Sequence, residues 1–541
     1  MDPYRSDHSA RSAGEDTPRD QGIVGDIIAQ FADPLAFYRE LVQNAIDAGS
    51  PSVEIKLEYD PSANVLRVAV RDRGEGMTRD ILENQLLVLF RSTKEKDDTK
   101  IGKFGIGFTS VLAPNPEVVV VQTSRDERRL TLHLHRDLTY QLFDAGPATQ
   151  TGTTVELDLA MHADEVEKFA RSSIEALTRW CRHAAVPVTF SARLPDSTEV
   201  IEAQIDRPLG IDQALVEVTR RSEDGKCTAV VGLLPGAAPY LGFFNHGLML
   251  HETTEALLGK VAVKLQDGRL GHTLSRDDVR RDASLDRALA FARDVIAKQL
   301  PGAASVALRA AADSDRERWW QLATAICDAK VELDRSAWWF PMLWSSGQAL
   351  AIDANGLGRT AWVAAEKSSI VAQLIARGDH VLEAQVGERP FLKALVKEIA
   401  GCELRDVESE LTSITPVQLD DHDTAMIAII NELAAAVHRA PRGITLARFE
   451  GLHADAFAIA CDRHDVQVVD RDMAAKNPFG RRTHRLALSV DHAWFRGARE
   501  HDPRAGASLL LRQLLLQHEL LDVPRSTSLL ELELDRIGLA T

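Results

Sequence analysis

The chain has 541 residues, 45% hydrophobic and 26% charged, a balance that excludes disordered and fibrous classes and predicts about three or four folded domains. A net charge of −17 repels phosphate backbones, so nucleic acid is a disfavoured partner unless basic residues segregate on one face. Cys181, Cys227, Cys327, Cys402 and Cys461 form no CxxC pair, which argues against a zinc ribbon or disulfide framework and for a reducing cytoplasm. No apolar run approaches the ~18 residues of a membrane helix, so no membrane segment is expected.

Residues 1–22 are polar with charges of both signs and read as a disordered tail. From Ile23 a helical pattern begins, and Leu35, Tyr38, Leu41, Val42 and Ile46 recur at spacings of three and four, one amphipathic helix closed by Gly49. Alternating runs at 53–60 and 64–72, separated by Asp60-Pro61-Ser62-Ala63, predict antiparallel strands joined by a turn. Further strands are predicted at 117–124, 128–137 and 153–160, and a helix over 163–183. A helix followed by strands describes an α+β sandwich, helices over one antiparallel sheet, and not the βαβ alternation of a Rossmann or P-loop domain. Strand signals resume at 186–194, 227–234 and 240–250, before a helical region at 275–300. The expected division is a tail (1–22), an α+β sandwich domain (23–184), an α/β middle domain (185–302) and a mainly helical C-terminal region (303–541) with a late strand-helix unit.

Four segments carry chemistry: ELVQNAIDA (40–48), DRGEGM (72–77), KIGKFGIGF (100–108) and TGTTVEL (151–157). Glu40 and Asn44, four apart, share a helix face, where a carboxylate can polarise water and a carboxamide oxygen can ligate Mg²⁺. Asp72 ends a strand, where an acceptor-only carboxylate can take a hydrogen bond from the amine of adenine. Gly102, Gly105 and Gly107 allow backbone N–H groups to close on phosphate oxygens. The chain has no GxxxxGK[ST], so this is not a P-loop.

At these residues the chain resembles the superfamily of gyrase, heat-shock chaperone, histidine kinase and mismatch-repair ATPases, and most closely the heat-shock protein 90 family of the bacterial HtpG type. The resemblance implies a Bergerat-fold ATP site using ATP and Mg²⁺, with Glu40 as general base and Asn44 on the metal. It further implies that Asp47 on the same helix binds the nucleotide, and that Asp72 holds adenine with Gly74, Gly76 and Met77 around it. Gly102, Phe104, Gly105, Ile106, Gly107 and Phe108 would lie over the phosphates, Thr153 near Asp72 through water, and Lys94 in the lid. GHTLSRDDVRRD (271–282) resembles the family's catalytic-loop segment, which implies that Arg276 reaches the γ-phosphate from a ribosomal S5-like middle domain. Three departures stand out: only 25 positions separate Met77 from Gly102, Arg280 occupies the place of a family glutamine, and no family dimerisation motif follows residue 300.

A sensor histidine kinase is not expected, because only some twenty residues precede Ile23. Asp420, Asp421 and Asp423 read as a helix N-cap and not as a topoisomerase metal set. The tryptophan-rich stretch 319–344 reads as packed core, and the leucines of 501–521 predict a helix buried all round, in a core or a dimer interface. The expected function is an ATP-driven, homodimeric clamp acting on protein clients. The competing readings are a clamp on nucleic acid, as in defence against foreign DNA, and a nucleotide-binding scaffold that does not hydrolyse.

Overall fold

The computed structural model describes residues 33–87, 107–195, 199–273, 278–343, 351–436, 441–461, 467–474 and 485–536. Lys94, Gly102, Phe104, Gly105, Ile106 and Arg276 lie outside them, as do the N-terminal tail and Trp344. Two compact units are present: Met1–Leu300 with Asp328–Lys330, and Pro301–Cys327 with Val331–Thr541.

In the first unit, helix α1 (Phe37–Asp47) precedes the strands β1 (Val53–Asp60) and β2 (Val65–Asp72). Asp60 closes the turn between them by accepting the Ser62 N–H at 2.9 Å, as expected of a DPS turn. β3 (Val118–Arg125), β4 (Arg128–His135), β5 (Tyr140–Pro147) and β6 (Gly152–Ala160) follow, then helix α2 (Ala163–Cys181), β7 (Val188–Arg193) and β8 (Val200–Gln204). They form one eight-stranded sheet in the order β5-β4-β3-β6-β2-β1-β7-β8. All neighbours are antiparallel except β1 and β7. The strand at 186–194 therefore belongs to the first sheet, which runs on past residue 184; alternation identifies a strand but not its neighbours.

The alternation places Ile55, Leu57, Leu66, Val68, Val119, Val121, Leu132, Val155 and Leu157 on one face. Against them pack Phe37, Tyr38, Leu41 and Val42 of α1 and Val166, Ala170 and Leu177 of α2. Each such large apolar side chain contributes roughly 1.5–3 kcal/mol by burial. The opposite face carries Lys56, Glu58, Arg67 and Arg71, exposed to water. α1 is fastened to α2 by Tyr38 Oη, 3.0 Å from Ser173 Oγ.

A second sheet in the same unit has the order β12-β11-β13-β10-β9. Its strands are β9 (Val216–Arg221), β10 (Cys227–Leu233), β11 (Tyr240–Asn245), β12 (Leu248–Thr253) and β13 (Ala262–Asp267). The run 240–250, continuous in hydrophobicity, is a hairpin broken at His246-Gly247. Helix α3 (Ala283–Lys298) covers this sheet and is capped by Asp282, whose carboxylate accepts the Ser284 and Leu285 N–H groups.

The second unit contains more helical than strand residues, yet its helices are interleaved with two-, three- and five-stranded sheets, of which the sequence suggested only a late strand-helix unit. Its strands are short, so their alternation is weak. Trp319, fully buried on the helix Arg316–Ala329, donates its indole N–H to Trp339 O at 2.6 Å and packs on Phe340, which makes the tryptophan-rich stretch a core. Asp420 accepts the Asp423 N–H at 2.7 Å as an N-cap, and Arg499 pairs with both carboxylates. On the helix Pro503–Gln517, Leu510, Leu511, Leu514 and Leu515 are buried against the helix Asp421–Ala435, while within the chain Leu509 and Leu516 are half exposed. Those two leucines, seven apart, fall on its outer stripe. Among the described residues no helix is long and apolar enough to cross a membrane.

Candidate nucleotide site

A cavity of about 430 Å³, within the usual range for small-molecule sites, opens between α1 and the inner ends of β2 and β6. Its lining includes Glu40, Asn44 and Asp47 from α1, Asp72, Gly76 and Met77 after β2, Gly107 and Phe108, and Thr153 on β6. Three segments far apart in sequence are thus brought to one cavity, and the described end of the fourth, Gly107-Phe108, joins them.

Glu40 and Asn44 are one helical turn apart but differ in setting. Glu40 is 4% exposed, whereas Asn44 and Asp47 lie at the open rim. Glu40 Oε1 lies 3.2 Å from Arg39 Nη2, with both side chains buried, and the Arg39 guanidinium stacks 4.9 Å from the Trp180 ring of α2. The guanidinium supplies the opposite charge that a buried carboxylate needs as a partner.

Asp72 ends β2, where the chain turns into the glycine segment. Its Oδ1 accepts the N–H of Gly74 at 2.7 Å and of Thr153 at 3.3 Å, and Oδ2 has no hydrogen-bond partner among the described residues. Burial pushes the carboxyl above its ordinary range, and the two N–H groups offset only part of that rise. This backbone contact lies next to the last β2–β6 pair, Arg71 with Thr154. The Thr153 hydroxyl instead sits 3.1 Å from Thr123 Oγ1.

Thr123 was missed in the sequence. It is 1% exposed and accepts the Met77 N–H at 2.8 Å, holding the glycine segment against β3. The available signal was parity: Val119, Val121 and Thr123 share the inward face, and a threonine there needs a polar partner. The glycines act by close approach. A Cβ on Gly74 would lie 2.7 Å from Ala48 O, and one on Gly76, where φ is +69°, only 2.1 Å from Ser124 O. Gly74 therefore lets the loop touch the end of α1 and does not line the cavity.

No group of three or more His, Cys, Asp or Glu side chains suited to a metal exists among the described residues. A divalent cation held mainly by phosphate oxygens and water, with one carboxamide from the protein, fits this donor set, and Asn44 at the rim is the residue able to supply it.

Comparison with known proteins agrees with the geometry. Residues 38–168 match the family described as "Histidine kinase-, DNA gyrase B-, and HSP90-like ATPase". Proteins named "Chaperone protein HtpG" are similar. The one from Bordetella parapertussis is 26% identical over 227 residues, covering 36% of this chain and 35% of the relative. The one from Burkholderia lata is 30% identical over 228 residues, with the same coverage. That from Porphyromonas gingivalis is 29% identical over 191 residues, covering 30% and 27%. The match spans about a third of the length of these relatives. With the helix-over-sheet architecture and the cavity at its motif segments, residues 38–168 form a domain of the histidine kinase-, DNA gyrase B- and HSP90-like ATPase family.

Proposed function

We propose that the chain is an ATP-driven conformational clamp of the heat-shock protein 90-like class, a cytoplasmic homodimer that hydrolyses ATP and acts on protein clients. The observation that carries this reading is the convergence of Glu40, Asn44, Asp72, Met77 and Thr153 on one cavity. The chaperone name of the matched relatives supports the choice of protein clients. A three-part division, nucleotide domain, middle domain and C-terminal region, belongs to the same proposal, with the sheet of the first part extending to Gln204.

In this reading Asp72 Oδ2 accepts a hydrogen bond from the adenine amine, while Met77 packs against the base. Gly102, Phe104, Gly105, Ile106, Gly107 and Phe108 bring backbone N–H groups to the phosphates, with Lys94 beside them. Glu40 takes a proton from the attacking water, held in place by Arg39 and, through it, by Trp180. Mg²⁺, when bound through Asn44 and the phosphates, neutralises their charge. Arg276 adds a second positive charge from the middle domain and makes turnover depend on closure.

Steady-state ATP hydrolysis by the full chain tests the proposal, beside Arg276→Ala and an aggregation-suppression assay on an unfolding client. The expected outcome is slow turnover, a lower kcat with little change in KM for Arg276→Ala, and ATP-dependent suppression. Turnover absent from the full chain would leave a nucleotide-binding scaffold as the better account.

A further inference from the structure

A second cavity of about 520 Å³ lies in the first unit, between the C-terminal half of α2 and the second sheet. Its walls are largely apolar, formed by Ile174 of α2, Ile211, Leu234, Phe244 and Met249. At its floor stands Lys264 of β13, only 6% exposed. Gly242 pairs with Lys264 across β11 and β13, and a Cβ there would lie 2.8 Å from Tyr240 Oη. The missing side chain thus lets the Tyr240 ring fold over the strand, and Lys264 Nζ sits 6.0 Å from that ring and 5.8 Å from Phe244.

The polar contacts of Lys264 leave it under-matched. Nζ is 2.9 Å from His183 Nε2, and His183 Nδ1 is 3.1 Å from Arg207 O. A carbonyl only accepts, so Nδ1 carries the imidazole proton and Nε2 accepts from the ammonium. That uses one of three N–H donors. Of the carboxylates around the cavity, Asp212 pairs with Arg182, and Glu252 with Arg179 at 3.2 Å and with Tyr240 Oη at 3.2 Å, while Glu175 stands at the rim. Among the described residues no carboxylate comes within 4.0 Å of Lys264 Nζ. Burial accordingly pushes Lys264 down to about 8, and also pushes His183 down to about 4, so that at neutral pH a cation faces a neutral ring. A buried ammonium in apolar surroundings is stabilised by an anion that completes its hydrogen bonds.

We propose that this cavity binds a small organic monocarboxylate with an aromatic or branched aliphatic body, its carboxylate on Lys264 Nζ and its body against Phe244, Met249 and Ile174. A single negative charge is what the site can match. Arg179 and Arg182 are already paired with Glu252 and Asp212, and Glu175 at the rim disfavours di- and trianions such as phosphates. α2 also carries Ser173 and Trp180, which touch Tyr38 and Arg39 beside Glu40, so occupancy bears on the helix that supports the proposed base.

The test is calorimetric titration of the full chain at pH 7 with 3-phenylpropionate, 3-phenylpropanol and 3-phenylpropylamine, repeated on Lys264→Met and Ile174→Trp. The acid should bind saturably with a Kd near or below about 1 mM, and the alcohol and amine at least about tenfold more weakly, the usual worth of a charge-assisted hydrogen bond. Lys264→Met should weaken the acid about tenfold or more while leaving the alcohol unchanged. Ile174→Trp, which fills the cavity from α2, should abolish both. Failure of the acid to saturate, equal affinity for acid and alcohol, or undiminished acid binding in Lys264→Met would each overturn the proposal. None of these readouts depends on ATP hydrolysis.

Discussion

Replacing Asp72 by asparagine tests how the nucleotide is oriented. Oδ1 accepts two backbone N–H groups, from Gly74 and Thr153, and both survive the substitution. They dictate the rotamer: the asparagine oxygen must take the Oδ1 position, because an NH₂ there would face two donors. The amide nitrogen then occupies the Oδ2 position and presents N–H where the adenine amine also presents N–H. ATP loses a charge-assisted hydrogen bond worth roughly 1.5–3 kcal/mol and leaves a donor unsatisfied at a cost of roughly 1–3 kcal/mol. A net loss of about 3–4 kcal/mol corresponds to roughly 100- to 1,000-fold in Kd. Inosine triphosphate, with a carbonyl in place of the amine, should behave oppositely, binding the variant better than it binds wild type. Calorimetry with both nucleotides on both proteins measures this directly. If Asp72→Asn binds ATP as tightly as wild type, or if inosine triphosphate gains nothing, Asp72 does not contact the base edge.

Four further outcomes are expected. Glu40→Gln, which keeps an acceptor for Arg39 but cannot take a proton, should retain ATP binding and lose turnover by about 100-fold or more in a coupled ATPase assay. Gly76→Ala, forced into positive φ and against Ser124 O, should lose roughly 2 kcal/mol of stability in urea melts and weaken ATP binding as Met77 leaves Thr123. His183 lies at about 4 in the fold against an ordinary 6.5, so between those values the unfolded chain takes up a proton the fold refuses, and stability falls as pH drops through that window. The loss attributable to His183 is roughly 3 kcal/mol, and His183→Gln should lack it when urea midpoints are compared at pH 7 and pH 4. A chain ending near residue 184 lacks β7 and β8 and exposes the edge of β1, so it should melt lower and aggregate more than one ending near residue 302, as followed by circular dichroism and light scattering.

The sequence alone determined the local elements whose cause is local. The three-four spacing of Leu35, Tyr38, Leu41 and Val42 specifies α1, alternation specifies β1, β2 and β6, a run of four valines marks β3, and a DPS turn joins β1 to β2. It also supplied the candidate residues Glu40, Asn44, Asp72 and Thr153, since order and spacing of four motif segments are properties of a string. Only the tertiary structure decided which strands are neighbours. Residues 188–193 lie against 53–57 because the helix α2 returns the chain across the sheet, and no pattern within either segment encodes that partner. The same holds for Thr123 beside Thr153 and for Arg39 against Trp180, pairs 30 and 141 positions apart whose contact exists only once the sheet and helices have packed. Leu509 and Leu516 are the converse case: their hydrophobicity marks them for a cover, but burial is a relation to a neighbour, and among the described residues the neighbours of that helix lie on its other side.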